Sequence, residues 1–368
     1  MLFRSRAYIA EYLKQRLDRM GSLSQGGTAL PAVQIELANA WSTYADVLGG
    51  FSSNLGRSSE ALAALDEAIL LRERLQPKAQ PDDHRLVLAD LHQRWTQIKH
   101  DAILVRGALP PQAEPELQER LDQVEALLQQ VTAGVDQPEF EVRRLDALAD
   151  LATRRGRIAY SAEEKRLEEA FGFWNEAEKF YQRASQTAID LNQRYNERNR
   201  GLLQFTWASG LRKAKRLDEA LIQSEAYINL CRVLLQQHNT PTAQRDLTKG
   251  LFLGYLVRRS LSKTSEEPDE ITKLQMESQS LLEEAHSLSE ALHLGDSADV
   301  RSLELWAESR YNMALLQFDR KNYELAEKIT QELIAHVQSE HGQGLQNNRT
   351  LALLNAAIEL QRISAGRR

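Results

Sequence analysis

Cys231 is the only cysteine in this sequence. One thiol excludes an intramolecular disulfide and a cysteine-built zinc site. It fits the cytoplasm and leaves a bacterial periplasm open. Turn formers are scarce too, with 18 Gly and 9 Pro in 368 residues. An all-β chain would need many more reversals. Val, Ile and Thr never alternate with polar residues at period two, so no strand is expected. No run of 18 apolar residues occurs, so nothing is expected to span a membrane. The opening MLFRSRAYIAEYLKQRLDRM lacks the apolar centre of a secretory signal. A formal charge of −6 argues against general nucleic-acid binding, which needs a basic footprint. Phosphate-cradling glycine loops and HExxH frames are missing as well. Neither catalysis nor a cofactor nor a metal is expected.

What remains is rich in Glu, Gln, Arg, Leu and Ala, all good helix formers. About 42% apolar and 27% charged is a globular balance, and the expected fold class is all-α. Breaks recur at intervals of roughly 45 to 57 residues, the range of a helix-pair array with long helices. They fall at Gln76–Asp83, Ala133–Pro138, Asn192–Arg194, His238–Thr242, Leu294–Ser297 and His341–Gln346. Between them six pairs are expected, each an A helix followed by a B helix. They are 33–51 with 58–76, 82–107 with 112–132, and 139–160 with 163–191. The others are 194–214 with 216–237, 242–263 with 268–293, and 298–319 with 322–339. A last helix at 346–364 would cap the array with Leu351, Leu354 and Ile358. Residues 1–31 form a separate basic amphipathic helix and linker, leaving 32–368 as the array.

The clearest pair is ELANAWSTYADVLGGFSSNLGRSSEALAALDEAILLRERL, Glu36 to Leu75. Trp41, Tyr44, Ala45 and Leu48 share one face of its A helix, Gly56 sits in the turn, and Ala61, Leu65 and Ala68 face back. Small residues let two backbones approach while large ones fill the space beside them. This stretch closely resembles a tetratricopeptide repeat. Trp174, Ala177, Tyr181 and Ala184 repeat the B-helix pattern; Trp207, Ala208, Leu211, Ala220 and Tyr227, and Met313, Ala314, Tyr323 and Ala326, echo it. Pairs two and five keep helical periodicity but lose most of the small residues. Within that family, Glu36–Ala38, Trp41, Gly49, Asn54–Gly56 and Ala61–Ala68 are most similar to the C-terminal repeats of bacterial receptor-type Ser/Thr protein kinases and related signalling proteins. The resemblance implies an α-α superhelix that holds a protein or peptide. Kinase glycine-loop, HRD, DFG, winged-helix and membrane-span segments do not occur here. The chain therefore reads as a stand-alone interaction scaffold, or as the detached regulatory arm of such a signalling protein.

The family's A helices line a concave surface, and here charge sorts by helix. The middle A helices are basic: Arg143, Arg144, Arg154, Arg155 and Arg157; then Arg194, Arg198, Arg200, Arg212 and Lys213; then Arg245, Lys249, Arg258, Arg259 and Lys263. Every B helix is net acidic. A partly basic groove for an acidic or carboxylate-bearing partner follows, since arginine pairs bidentately with carboxylates. Its expected residues are Asn39, Ser42 and Asp46 in pair one and Phe205, Ser209, Arg212 and Lys213 in pair four, with Arg154, Arg155, Arg198 and Arg258 between and beyond. The competing account is that Arg212, Arg258 and Arg259 only complement helix C-terminal dipoles.

His84, His92 and His100 recur every eight residues, a spacing that drifts about 80° around a helix and suits packing better than metal binding. Cys231 lies in the apolar run Ile228–Leu235 and reads as a buried thiol. The five tryptophans, Trp41, Trp95, Trp174, Trp207 and Trp306, read as core. On residues 3–20, Arg4, Arg6, Lys14, Arg16 and Arg19 oppose Ile9, Leu13, Leu17 and Met20. That helix reads as a cap on pair one, with contact to an anionic membrane surface as the alternative.

Overall fold

A computed structural model describes residues 3–24, 31–49, 55–75, 81–104, 108–132, 138–162, 166–191, 195, 197–296, 299–341 and 348–367. Among these there are fourteen α-helices and no strand; Leu109 and Ala162 form one isolated bridge. The helices are α1 (Phe3–Ser24), α2 (Pro31–Gly49), α3 (Ser58–Glu73), α4 (Pro81–Ile103), α5 (Glu114–Gln129), α6 (Pro138–Ser161) and α7 (Leu167–Asp190). Then come α8 (Arg198–Lys213), α9 (Leu217–Gln237), α10 (Pro241–Ser262), α11 (Pro268–Gly295), α12 (Val300–Asp319), α13 (Tyr323–His341) and α14 (Asn348–Gly366). Each expected helix is present with shifted ends. The expected breaks around 76–80, 133–137, 192–194 and 342–347 lie largely or wholly outside the described residues.

Helix starts follow local chemistry. Five helices, α2, α4, α6, α10 and α11, begin at proline, whose fixed φ and missing N–H cost nothing in a first turn. Acidic residues fill the first turns of α3 to α7, α9 and α11, where the helix dipole favours them. The turns after α8 and α12 share one construction. Lys215 and Lys321 both take φ 62°, and the next residue's N–H reaches back to Leu211 O or Gln317 O at 2.9 Å.

Contacts divide the chain into two compact units, Phe3–Leu203 and Gln204–Arg368, the division falling inside α8. In the first unit α1 packs on α2, and α2/α3, α4/α5 and α6/α7 pack as consecutive pairs. Here α4 also meets α3 and α6. In the second unit α10 packs with α9, α11 and α12, and α12 meets α11, α13 and α14. The small residues do what their spacing implies. Ala61, Leu65 and Ala68 on α3, and Trp174, Ala177, Tyr181 and Ala184 on α7, are fully buried. Trp95 and Trp306 are also buried, Trp41 and Trp207 half-buried, and Cys231 is buried. On α1, Ala10 and Leu17 are buried, the inner line of a helix docked on α2. No helix of the described residues is long and apolar enough to cross a membrane.

Candidate binding surface on the A helices

An A helix surrounded by three neighbours has little free surface, so its polar residues must be satisfied by other helices. In the first unit many of them meet along a continuous stripe. On α4, Asp90, Arg94, Gln97 and Asp101 stand at i, i+4, i+7 and i+11, one line along the helix. Arg94 crosses to α2, donating to Ser42 Oγ at 2.6 Å and to Asp46. Asn39 Oδ1 accepts from Arg72 Nη2 of α3 at 2.8 Å. The three residues expected on α2 are thus held by arginines of this chain.

Toward α6, Gln97 is the hub. Its Oε1 accepts from Arg154 Nη1 at 2.7 Å and from Arg157, and its Nε2 donates to Asp101 at 2.6 Å. Arg157 also reaches Asp101 at 2.9 Å. His100 is buried, with Nε2 2.7 Å from Ser161 Oγ, and burial lowers its pKa. Further along α6, Asp150 accepts from Tyr181, and Asp146 from Tyr195 at 2.7 Å. Burial, with Asp150 adding to it, raises the Asp146 carboxyl to about 6.

Asp90 is the solvent-exposed member of this stripe. Its side chain is 62% exposed, and its nearest cation is Arg94 at 3.7 Å. Desolvation nevertheless raises its pKa, more than Arg94 and Arg154 lower it.

The other expected residues scatter. Arg155 turns away to α5, pairing with Asp122 at 2.9 Å and Glu125 at 2.7 Å. Arg198 is half-buried and engaged. In the second unit, Phe205 tilts against Tyr227 with centroids 5.4 Å apart, and Ser209 Oγ donates to Phe205 O at 2.9 Å. Arg212 is half-buried, and its Nε–H meets no acceptor among the described residues; Lys213 is exposed and engaged. Arg258 is buried between α9 and α11, held by Glu225 at 2.6 Å and Glu277 at 3.0 Å. Arg155 and Arg258 thus tie A helices to acidic B helices.

Reading the sequence for cations passed over Asp90, Arg94, Gln97, Asp101, Asp146 and Asp150. The signal for them was there: a polar stripe at helical spacing inside helices otherwise patterned for burial. Among the described residues no group of three or more His, Cys, Asp or Glu is placed to hold a metal ion. No protein-family model matches the chain, and no curated protein matches it.

Proposed function

We propose that this chain is a non-catalytic protein-interaction scaffold, a helical-repeat array of tetratricopeptide type that captures a partner on the polar stripe of α2, α4 and α6. The observation that carries this reading is the exposed carboxylate of Asp90 in line with Arg94, Gln97 and Asp101 on α4, a stripe joined by hydrogen bonds to α2 and α6. Two further features support it. The stripe is contiguous across three helices, and its charges are mixed, with Arg94, Arg154 and Arg157 set among Asp46, Asp90, Asp101 and Asp150. A mixed polar surface on rigid helices suits orientation-specific docking, in which charge sets approach rate and register.

The test is capture from host lysate on immobilised chain, with Asp90→Arg beside Glu119→Lys, a charge change on the exposed side of α5. A partner kept by wild type and Glu119→Lys but lost by Asp90→Arg supports the stripe. A partner kept equally by all three places the surface elsewhere.

A further inference from the structure

The two faces of α1 have different fates. Ala10 and Leu17 are buried, and Leu13 and Met20 pack against the same core, where α1 meets α2. The apolar line expected from the sequence therefore goes inward, with one exception. Ile9 turns outward, 43% exposed, between Tyr8 at 69% and Tyr12 at 46%. Among the described residues this is the densest run of large exposed apolar and aromatic side chains.

Helical geometry places Tyr8, Tyr12 and Arg19 about 160–200° around the helix from Ala10, with Ile9 and Arg16 on one flank. Arg16 and Arg19 are exposed, and the Arg16 guanidinium lies over the Tyr12 ring, 5.1 Å from its centroid. Both acids of the segment, Glu11 and Asp18, fall on the other flank, where Lys14 holds Asp18 at 2.7 Å. The centre of the outer face is thus aromatic and basic, with its carboxylates to one side. Residues 3–20 carry five basic and two acidic side chains, net +3, in a chain whose total is −6.

A basic, aromatic face on an otherwise acidic chain complements an anionic surface. Shape and chemistry select the kind. A single helix face is convex across its width and meets a plane along its whole length. Tyrosine suits the boundary between water and lipid, with its ring at the acyl edge and its hydroxyl among headgroups. Arginine beside it bonds lipid phosphate.

We propose that the outer face of α1 binds an anionic lipid surface, with Tyr8, Ile9 and Tyr12 at the interface and Arg16 and Arg19 on the headgroups. The inner line stays docked on α2, so the helix lies on the membrane without leaving the fold. Few apolar groups take part, so charge carries most of the affinity, and salt reverses the binding. The scaffold reading above does not enter.

The experiment is co-sedimentation of the full chain with vesicles of phosphatidylcholine, alone or with about one-third phosphatidylserine, at low salt and at about 0.5 M salt. Wild type is compared with Arg16→Glu/Arg19→Glu and with Tyr8→Ala/Tyr12→Ala. Lys273→Glu/Arg362→Glu makes the same charge change at two exposed positions elsewhere. Melting temperatures establish that each variant is folded. Wild type should sediment with the anionic vesicles at low salt, and not with phosphatidylcholine alone. Each lost charge is worth about fivefold in partitioning, so the arginine pair should weaken it about twentyfold or more. The tyrosine pair should weaken it severalfold, and the control should bind as wild type does. Should the arginine variant misfold, the tyrosine variant, with the control beside it, decides. Absence of anionic-vesicle binding, equal binding to phosphatidylcholine alone, undiminished binding by either folded α1 variant, or an equal loss in the control overturns the proposal. Retention on polyglutamate resin without vesicle binding also overturns it and gives this face to an acidic protein.

Discussion

The backbone of Gly156 on α6 lies directly against the indole of Trp174 on α7. A Cβ at position 156 would stand 2.3 Å from Trp174 Nε1 and 2.5 Å from its Cδ1. Trp174 is fully buried, among Phe171 and Tyr160, and its Nε1–H points to Thr153 O at 3.4 Å. The ring has nowhere to go. Gly156→Ala gains helix propensity worth about 1 kcal/mol. Overpacking outweighs it, and a net destabilisation of about 1–3 kcal/mol is expected by urea unfolding. A neutral or stabilising result would mean that α6 and α7 slide apart easily.

Acid weakens this protein through its buried histidines. His92, facing Arg120 of α5, and His293, facing His336 of α13, are both lowered to about 4 by burial, with Arg120 and His336 adding to the effect. His84, His100 and His286 shift the same way. Between the unfolded value of 6.5 and the folded one, the unfolded chain binds more protons. Stability is therefore fully present above pH 6.5 and lost as pH falls toward 4, by about 2–3 kcal/mol for each of these two groups. Urea midpoints at pH 7 and pH 5 measure it. Replacing both by Gln flattens the profile across that window.

The helices were legible because their signals are local. Proline starts, acidic first turns and the spacing of Ala61, Leu65 and Ala68 all lie within a few residues of each other. The pairings across the polar stripe were not, because they join residues far apart in sequence, such as Arg94 with Asp46 and Arg154 with Gln97. Which arginine finds a carboxylate depends on the register between helices, set by contacts like that of Gly156 with Trp174. Composition therefore located the cations on the A helices but not their partners. It could not separate Arg258, paired with Glu225 and Glu277, from Arg154, whose hydrogen bond goes to the neutral Gln97.

Asp146 makes the opposite contribution to the histidines. Its carboxyl is raised to about 6 in the folded chain from an ordinary 3.8, so the folded form binds the extra proton between those values. The sign is a loss of stability as pH rises from about 4 to 6, complete at neutrality. Asp146→Asn keeps an acceptor for Tyr195 and removes the buried charge. It should raise stability at pH 7 by about 1–2 kcal/mol and leave it nearly unchanged at pH 4. Equal effects at both pH values would show that the carboxylate's charge is not what strains the site.

Lys321 ends α12 in a left-handed conformation, φ 62°, where a Cβ costs roughly 1 kcal/mol. Its side chain is exposed, so nothing of the core is lost on trimming it. Lys321→Gly is expected to raise the melting temperature, with a gain of up to about 1 kcal/mol after the entropy of a freer unfolded chain is subtracted. Lys215→Gly, in the equivalent turn after α8, should behave alike. Opposite signs at the two positions would mean that the turns are not equivalent.

Asp299 bears more than its small size suggests. It caps α12, accepting from Arg301 N–H at 3.3 Å, and it also accepts from Ser302 Oγ at 2.7 Å. Across the interface it pairs with Arg245 of α10, and both side chains are buried, 0% and 5% exposed. Asp299→Ala removes the cap and strands Arg245, a combination expected to cost about 3–5 kcal/mol. Asp299→Asn keeps the cap and isolates the charge term, so its cost measures the stranded guanidinium alone. Adding Arg245→Met to Asp299→Asn should recover most of that cost, because a buried ion pair contributes little net stability over a well-packed apolar replacement. If the double variant is as unstable as Asp299→Asn, then Arg245 acts by holding Ser302 and the start of α12 in register, not by neutralising a charge.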